Sequence, residues 1–105
     1  MLDLAGFDWD AGNRSKCQSH GVSLDEIEDL FSRPITVLPD PEHSRTEERF
    51  KAIGITNAGR YVFLTFTLRT RAGVALIRPI SASYMHRKEI DHYEKEKEAA
   101  KTQHR

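Results

Sequence analysis

A single cysteine, Cys17, is all the thiol chemistry this 105-residue chain possesses. One cysteine excludes an internal disulfide and a tetracysteine metal site. Long apolar runs are missing as well: nothing approaches the ~18–20 residues of a membrane span, and the N-terminus does not read as a signal peptide. The expectation is a cytoplasmic protein with no membrane partner. Nor is there an excess of charge of either sign, because sixteen basic residues meet sixteen acidic ones. A strongly basic nucleic-acid binder is thereby disfavoured. No helix-turn-helix or ribbon-helix-helix pattern supports direct reading of DNA.

What is present suits a compact domain. Hydrophobic residues make up 38% of the chain and charged ones 30%, outside the composition of disordered segments. The length predicts one domain over residues 1–105, with the tail after about residue 97 fraying into solvent. The zero net charge conceals a segregation. From Arg60 to Lys88 there are arginines and lysines but no acid, while acids gather in 25–48 and after Glu89. A locally basic surface on a neutral protein remains available, with an attraction for phosphate that salt keeps short-ranged.

Phe7-Asp8-Trp9-Asp10 reads as a short strand with both aromatics on one face. Asp10 can cap a helix running to about Ser19, and Gly21 suits its C-terminal turn. Ser23-Leu24-Asp25-Glu26 is a capping box, followed by Leu24, Ile27, Leu30 and Phe31 at helical spacing and stopped by Pro34. Ile35 to Leu38 is a strand, and Asp40 to Thr46 a loop. Strands follow at Arg49–Thr56, Tyr61–Arg69 and Val74–Ala82, with turns at Asn57-Ala58-Gly59 and Thr70-Arg71-Ala72-Gly73. On the strongest of them, Val62, Leu64, Phe66 and Leu68 share the core face. Pro79 cannot donate to a ladder and implies a bulge or an edge. A final helix from Tyr84 to Ala100 would bury Met85, Ile90 and Tyr93. Helices segregated from an antiparallel meander make an α+β two-layer domain, helices on one face and the other face left for function.

Several fragments, in order, resemble the BrnT toxin family. They are Phe7-Asp8-Trp9-Asp10; His20-Gly21-Val22-Ser23; His43-Ser44 with Glu47-Glu48-Arg49-Phe50 and Ile53-Gly54; Gly59-Arg60; Thr67-x-Arg69; Arg78-x-Ile80-Ser81-Ala82; and a helix with Glu89 and Tyr93. The resemblance runs from about Phe7 to Glu94. It implies a RelE-like fold, ribonuclease activity that inhibits growth, and a ribbon-helix-helix antitoxin, in a 2:2 complex built through an antitoxin dimer. It implies contact with DNA only through that antitoxin. Two positions depart from the family pattern. Ser19 stands where a Lys commonly precedes His-Gly-Val, and Ser83 stands where an Arg commonly follows Ile-Ser-Ala. Both replace a cation with a hydroxyl, so an attenuated module that only engages its antitoxin is the alternative.

Cutting RNA without a metal or cofactor needs a base for the 2′-hydroxyl, cations for the phosphorane and an acid for the leaving 5′-oxygen. Arg69, at the polar end of the non-core face, suits the second role because its guanidinium forks onto phosphate oxygens. Its alternative is an edge arginine pairing with a helix acid. Arg78 and Ser81 lie on the adjoining strand, where hairpin pairing brings them towards Arg69. His43, in a Pro-flanked loop near Glu47, Glu48 and Arg49, is a candidate proton carrier or a solvated loop residue. Glu48 and Arg49 point to opposite faces, so at most one of them meets the site. His20 is a further candidate, its alternative a structural hydrogen bond at the helix junction. Cys17 and His20 have a Cys-x-x-His spacing but lack two matching ligands. Phe7 and Trp9 read as core or antitoxin-facing residues.

Overall fold

The computed structural model describes residues 4–103. In chain order its elements are β1 (Leu4–Phe7), α1 (Ala11–Gln18), α2 (Leu24–Leu30), β2 (Thr36–Pro39), a 3-10 turn (Pro41–His43), β3 (Arg49–Ile55), β4 (Tyr61–Arg71), β5 (Val74–Tyr84) and α3 (Arg87–Gln103). The strands form one sheet in the order β1-β5-β4-β3-β2. The β2–β3, β3–β4 and β4–β5 pairings are antiparallel. The expected α+β architecture, with an antiparallel meander and a C-terminal helix, is what the chain adopts. β1 adds one parallel pairing, against β5. No helix among the described residues is long and apolar enough to cross a membrane.

Local chemistry accounts for the elements. Ser23 Oγ accepts from the Glu26 N–H, and the Glu26 carboxylate accepts from the Ser23 N–H, which closes the predicted capping box. The β4–β5 hairpin turns on Ala72 and Gly73, whose φ angles of 51° and 80° are both left-handed. Two such residues in a two-residue loop match the twist of the flanking strands. At Pro79 the β4–β5 register shifts by one residue, the bulge that a proline without an N–H calls for.

Alternation along β4 sends Val62, Leu64 and Phe66 to one face. There they meet Ala52, Ile77 and Ala82 from neighbouring strands and Val22, Ile27 and Leu30 from the α2 region. Full burial of each valine, leucine, isoleucine or phenylalanine among them is worth about 1.5–3 kcal/mol. A run of rings, Trp9, Phe7, Phe31, Phe66 and Phe50, continues the core, with successive centroids 5.3–6.4 Å apart.

Three sequence expectations shift. The first strand is Leu4–Phe7 and not Phe7–Asp10, because pairing with β5 ends at Phe7 and Asp8. Phe7 and Trp9 nevertheless stack, 18° from parallel. Met85 lies outside the last helix, since its N–H donates to the Tyr61 carbonyl and extends the ladder. Finally, α3 does not join α2 on the core face. Tyr93 Oη is 2.6 Å from Thr36 Oγ1, and Tyr61 donates to Glu94 at 2.6 Å. Thr36 and Tyr61 lie on the face opposite Leu64, so α3 crosses one end of that face and leaves the rest open.

Candidate active site

The open face is a grid set by strand register. Arg49 pairs with Thr67, and Thr67 with Arg78. One row further, Lys51 pairs with Thr65, and Thr65 with Ser81. Since Leu64 and Phe66 point to the core, Thr65, Thr67 and Arg69 point the other way. Neighbouring strands lie ~4.8 Å apart, so Arg49 and Arg78 flank Thr67 roughly 10 Å from each other. Thr67 itself is buried, its hydroxyl donating to the Glu48 carbonyl. Thr65 and Ser81 share a hydrogen bond of 2.6 Å.

Two walls rise from this floor. The first is α1, which packs along β5 beyond the point where β1 ends. Its N-cap is Asp10, which accepts from the Asn13 N–H while Asn13 Oδ1 accepts from Asp10 N–H. The Asn13 amide donates to the carbonyls of Asp8 and Pro79, at 3.0 and 2.9 Å. These bonds fix the helix so that Cys17 enters the core while Lys16 reaches over Ile80 to the open face. The second wall is the β2–β3 connection, which brings Asp40, His43 and Glu47.

The result is two adjoining hollows that share Lys16, Arg49 and Ile80. One is lined further by Asp10, Glu47, Arg69 and Arg78. The other is lined by Asp40, His43, Lys51, Phe63, Thr65 and Ser81. Together they form a groove with five cations against three carboxylates. A separate hollow between α3 and the β2 side, lined by Ile35, Ile53 and Tyr93 among others, has no histidine or carboxylate in its lining. It offers no comparable set of proton-transfer groups.

Most of the groove's charges are paired internally. Arg78 Nη2 lies 2.8 Å from Asp10, and Nη1 lies 3.6 Å from Asp8. The Asn13 N–H and then Arg78 hold the Asp10 carboxyl below its ordinary pKa, and Asp10 in turn raises that of Arg78. Arg69 donates to Glu47 at 3.2 Å. Asp40 takes His43 Nδ1 at 3.0 Å and Lys51 at 3.8 Å. Lys16 and Arg49 form no salt bridge among the described residues, and they stand where the two hollows join.

Of the residues picked out in the sequence, Arg69 and Arg78 line one hollow, and His43 and Ser81 the other. Glu48 is exposed outside both, and it is Arg49 that meets the floor, because Arg49 pairs with Thr67 on the open face. His20 is exposed in the turn after α1 and also lies outside. Lys16, Lys51 and Asp40 escaped sequence reasoning. Cys17 is fully buried, and burial pushes its thiol up to about 11, so its thiolate is not at hand. Among the described residues no three His, Cys, Asp or Glu side chains converge to hold a metal ion.

A family model described as the ribonuclease toxin BrnT of type II toxin–antitoxin systems matches residues 9–89. The chain belongs to the BrnT family. The matched segment of this BrnT chain runs from Trp9 through β5 to the start of α3, and so contains every residue that lines the groove. A comparison with curated proteins finds no match. As a BrnT member, the protein comes from a family of ribonuclease toxins of type II toxin–antitoxin systems, which implies an antitoxin partner.

Proposed function

We propose that this protein is a metal-independent endoribonuclease toxin whose active site is the groove on the open sheet face. The observation that carries the reading is the placement of Lys16 and Arg49, unpaired at the junction of the hollows, between His43 on one side and Arg69 and Arg78 on the other. A phosphodiester seated at that junction would meet cations for its developing negative charge. The His43 imidazole would serve proton transfer to or from the 2′-hydroxyl or the 5′-oxygen, a role worth about 10²–10⁴-fold. Ser81 and Thr65 supply hydroxyl donors beside it. Arg69, half-exposed and held on one side by Glu47, has donors left for a neighbouring phosphate. The partner in this reading is a ribbon-helix-helix antitoxin, in a 2:2 complex through the antitoxin's own dimer, with DNA held only by the antitoxin.

One observation favours a second reading, in which this copy is attenuated and mainly engages its antitoxin. Ser83 pairs with Phe63 and lies on the open face, one row from Ser81. Ser19 donates to the Lys16 carbonyl at 2.8 Å, at the end of α1. Cations at these positions would extend the groove's charge. An RNA-cleavage time course in EDTA, comparing the wild type with a Ser19→Lys, Ser83→Arg variant, separates the two. Cutting by the wild type at a rate within a few fold of the variant supports the active reading. Cutting by the variant alone supports attenuation, and cutting by neither contradicts the free ribonuclease.

A further inference from the structure

We propose that Asp40 is a positioning residue that fixes the His43 imidazole in the tautomer able to accept a proton; the inference rests on the ribonuclease reading above. Asp40 occupies the N-cap position of the Pro41–His43 turn, where an aspartate ordinarily gives its carboxylate to a backbone N–H. It makes no such bond. Both carboxylate oxygens turn to His43 Nδ1, at 3.0 and 3.1 Å. The Asp40 side chain is 3% exposed and that of His43 60%, so a buried carboxylate underlies an accessible ring.

The loop has other ties that hold its shape. The Asp40 N–H donates to the Arg49 carbonyl at 2.9 Å. The Asp40 carbonyl accepts from Ser44 Oγ at 2.7 Å, and Ser44 Oγ accepts from the Arg49 N–H at 2.9 Å. These main-chain ties lock the turn to the end of β3. Burying a carboxylate is unfavourable unless it is well paired, and here the pairing is spent on His43, with Lys51 at 3.8 Å.

A carboxylate only accepts hydrogen bonds, so Nδ1 carries the hydrogen and Nε2 of the neutral ring keeps its lone pair. His43 shares its hollow with Lys16, Thr65 and Ser81. In the step this serves, Nε2 takes the proton of the RNA 2′-hydroxyl. The released electron pair on the 2′-oxygen forms the new bond to phosphorus. The P–O5′ bond breaks with its pair on the 5′-oxygen, which takes a proton from water, and the hydroxide left behind takes the proton from Nε2 and restores the neutral ring. The products are a 2′,3′-cyclic phosphate and a 5′-hydroxyl.

The test has two readouts on the full chain. Imidazole ¹⁵N spectra, with His43 assigned by its loss in His43→Gln, report the tautomer of the neutral ring. Steady-state RNA cleavage gives kcat and KM for the wild type and Asp40→Asn. With its amide oxygen kept towards Lys51, an asparagine presents its amide N–H to Nδ1 and selects the opposite tautomer. The proposal expects hydrogen on Nδ1 in the wild type and on Nε2 in Asp40→Asn, with kcat lower by about 10²-fold or more and KM within twofold. Hydrogen on Nε2 in the wild type overturns it, whether or not the variant folds. So does a variant that cuts like the wild type, or one that loses only KM; in both cases the ribonuclease reading survives. A wild type that cuts no RNA sinks that reading and the role of Asp40 together, even with Nδ1 protonated.

Discussion

Arg78 Nη2 sits 2.8 Å from Asp10 Oδ2, across 68 residues of sequence. The pair joins the N-cap of α1 to the floor of the groove, so the helix that carries Lys16 and the strand that carries Ser81 are held as one unit. It also means that Arg78 meets any RNA already engaged, whereas Lys16 and Arg49 do not.

Asp10 should therefore make stability depend on acid. Its folded pKa lies below the ordinary value, through the Asn13 N–H first and Arg78 second. A depressed carboxylate contributes stability above its unfolded pKa of about 3.9, and loses it as pH falls through the lower folded value. Asp10→Asn keeps an oxygen for the cap and removes the charge. Its urea midpoint should lie below that of the wild type at pH 7, and the gap should begin to close below about pH 3.9 and go on closing as pH falls through the lower folded value. A gap that stays constant over that range would exclude the charge as its cause.

Asn13 gives a larger effect because it is buried. Asn13→Ala removes the acceptor for the Asp10 N–H and both donors to the Asp8 and Pro79 carbonyls. The Pro79 carbonyl, beside the bulge, loses its side-chain partner. The expected destabilisation is about 2–3 kcal/mol, the scale of leaving buried polar groups unsatisfied, measured by urea unfolding. A loss under about 0.5 kcal/mol would mean that α1 is placed by apolar packing alone.

Much of this was legible in the sequence, and the gaps have physical reasons. Strong alternation in 62–68 announced β4 and its core face, and Ser23 with Glu26 announced α2. The open face follows from the same alternation, which is why Arg69, Arg78 and Ser81 could be placed near one another. β1 was read three residues late because its pairing is with β5, some 70 residues away, and Leu4-Ala5-Gly6-Phe7 carries little alternation of its own. Lys16 was missed for a related reason. The Asp10–Asn13 capping box marks where α1 starts, but which side of it meets the groove is decided by tertiary hydrogen bonds to Asp8 and Pro79. Asp40 looked like a loop residue between two prolines, and only the fold shows it buried beneath His43. His20 and Glu48 lie outside the groove, the first in an exposed turn and the second on the wrong side of the chain from Arg49.

Gly54 is a packing requirement within the resemblance motif. A Cβ built there comes 2.8 Å from Leu30 Cδ2 and 3.6 Å from Ile35 Cγ1, and Leu30 is only 1% exposed. Leu30 must shift within the core to admit it, so Gly54→Ala should cost about 1–3 kcal/mol, as overpacking does. Thermal unfolding would check it, at about 4–8 °C per kcal/mol for a chain of this size. An unchanged midpoint would show that α2 shifts freely over β3, contrary to the packing described.

The central claim is that RNA is cut on the open sheet face, and one paired comparison addresses it directly. Arg69→Ala and Arg87→Ala remove the same charge, the first from the groove and the second from α3, where Arg87 pairs with Asp91. Cleavage of a defined RNA in EDTA would be followed for both beside the wild type. The account predicts that Arg69→Ala slows cutting by about 10²-fold, the scale of one lost transition-state donor, while Arg87→Ala stays within twofold of the wild type. Equal losses in the two variants, or full activity in Arg69→Ala, would contradict it.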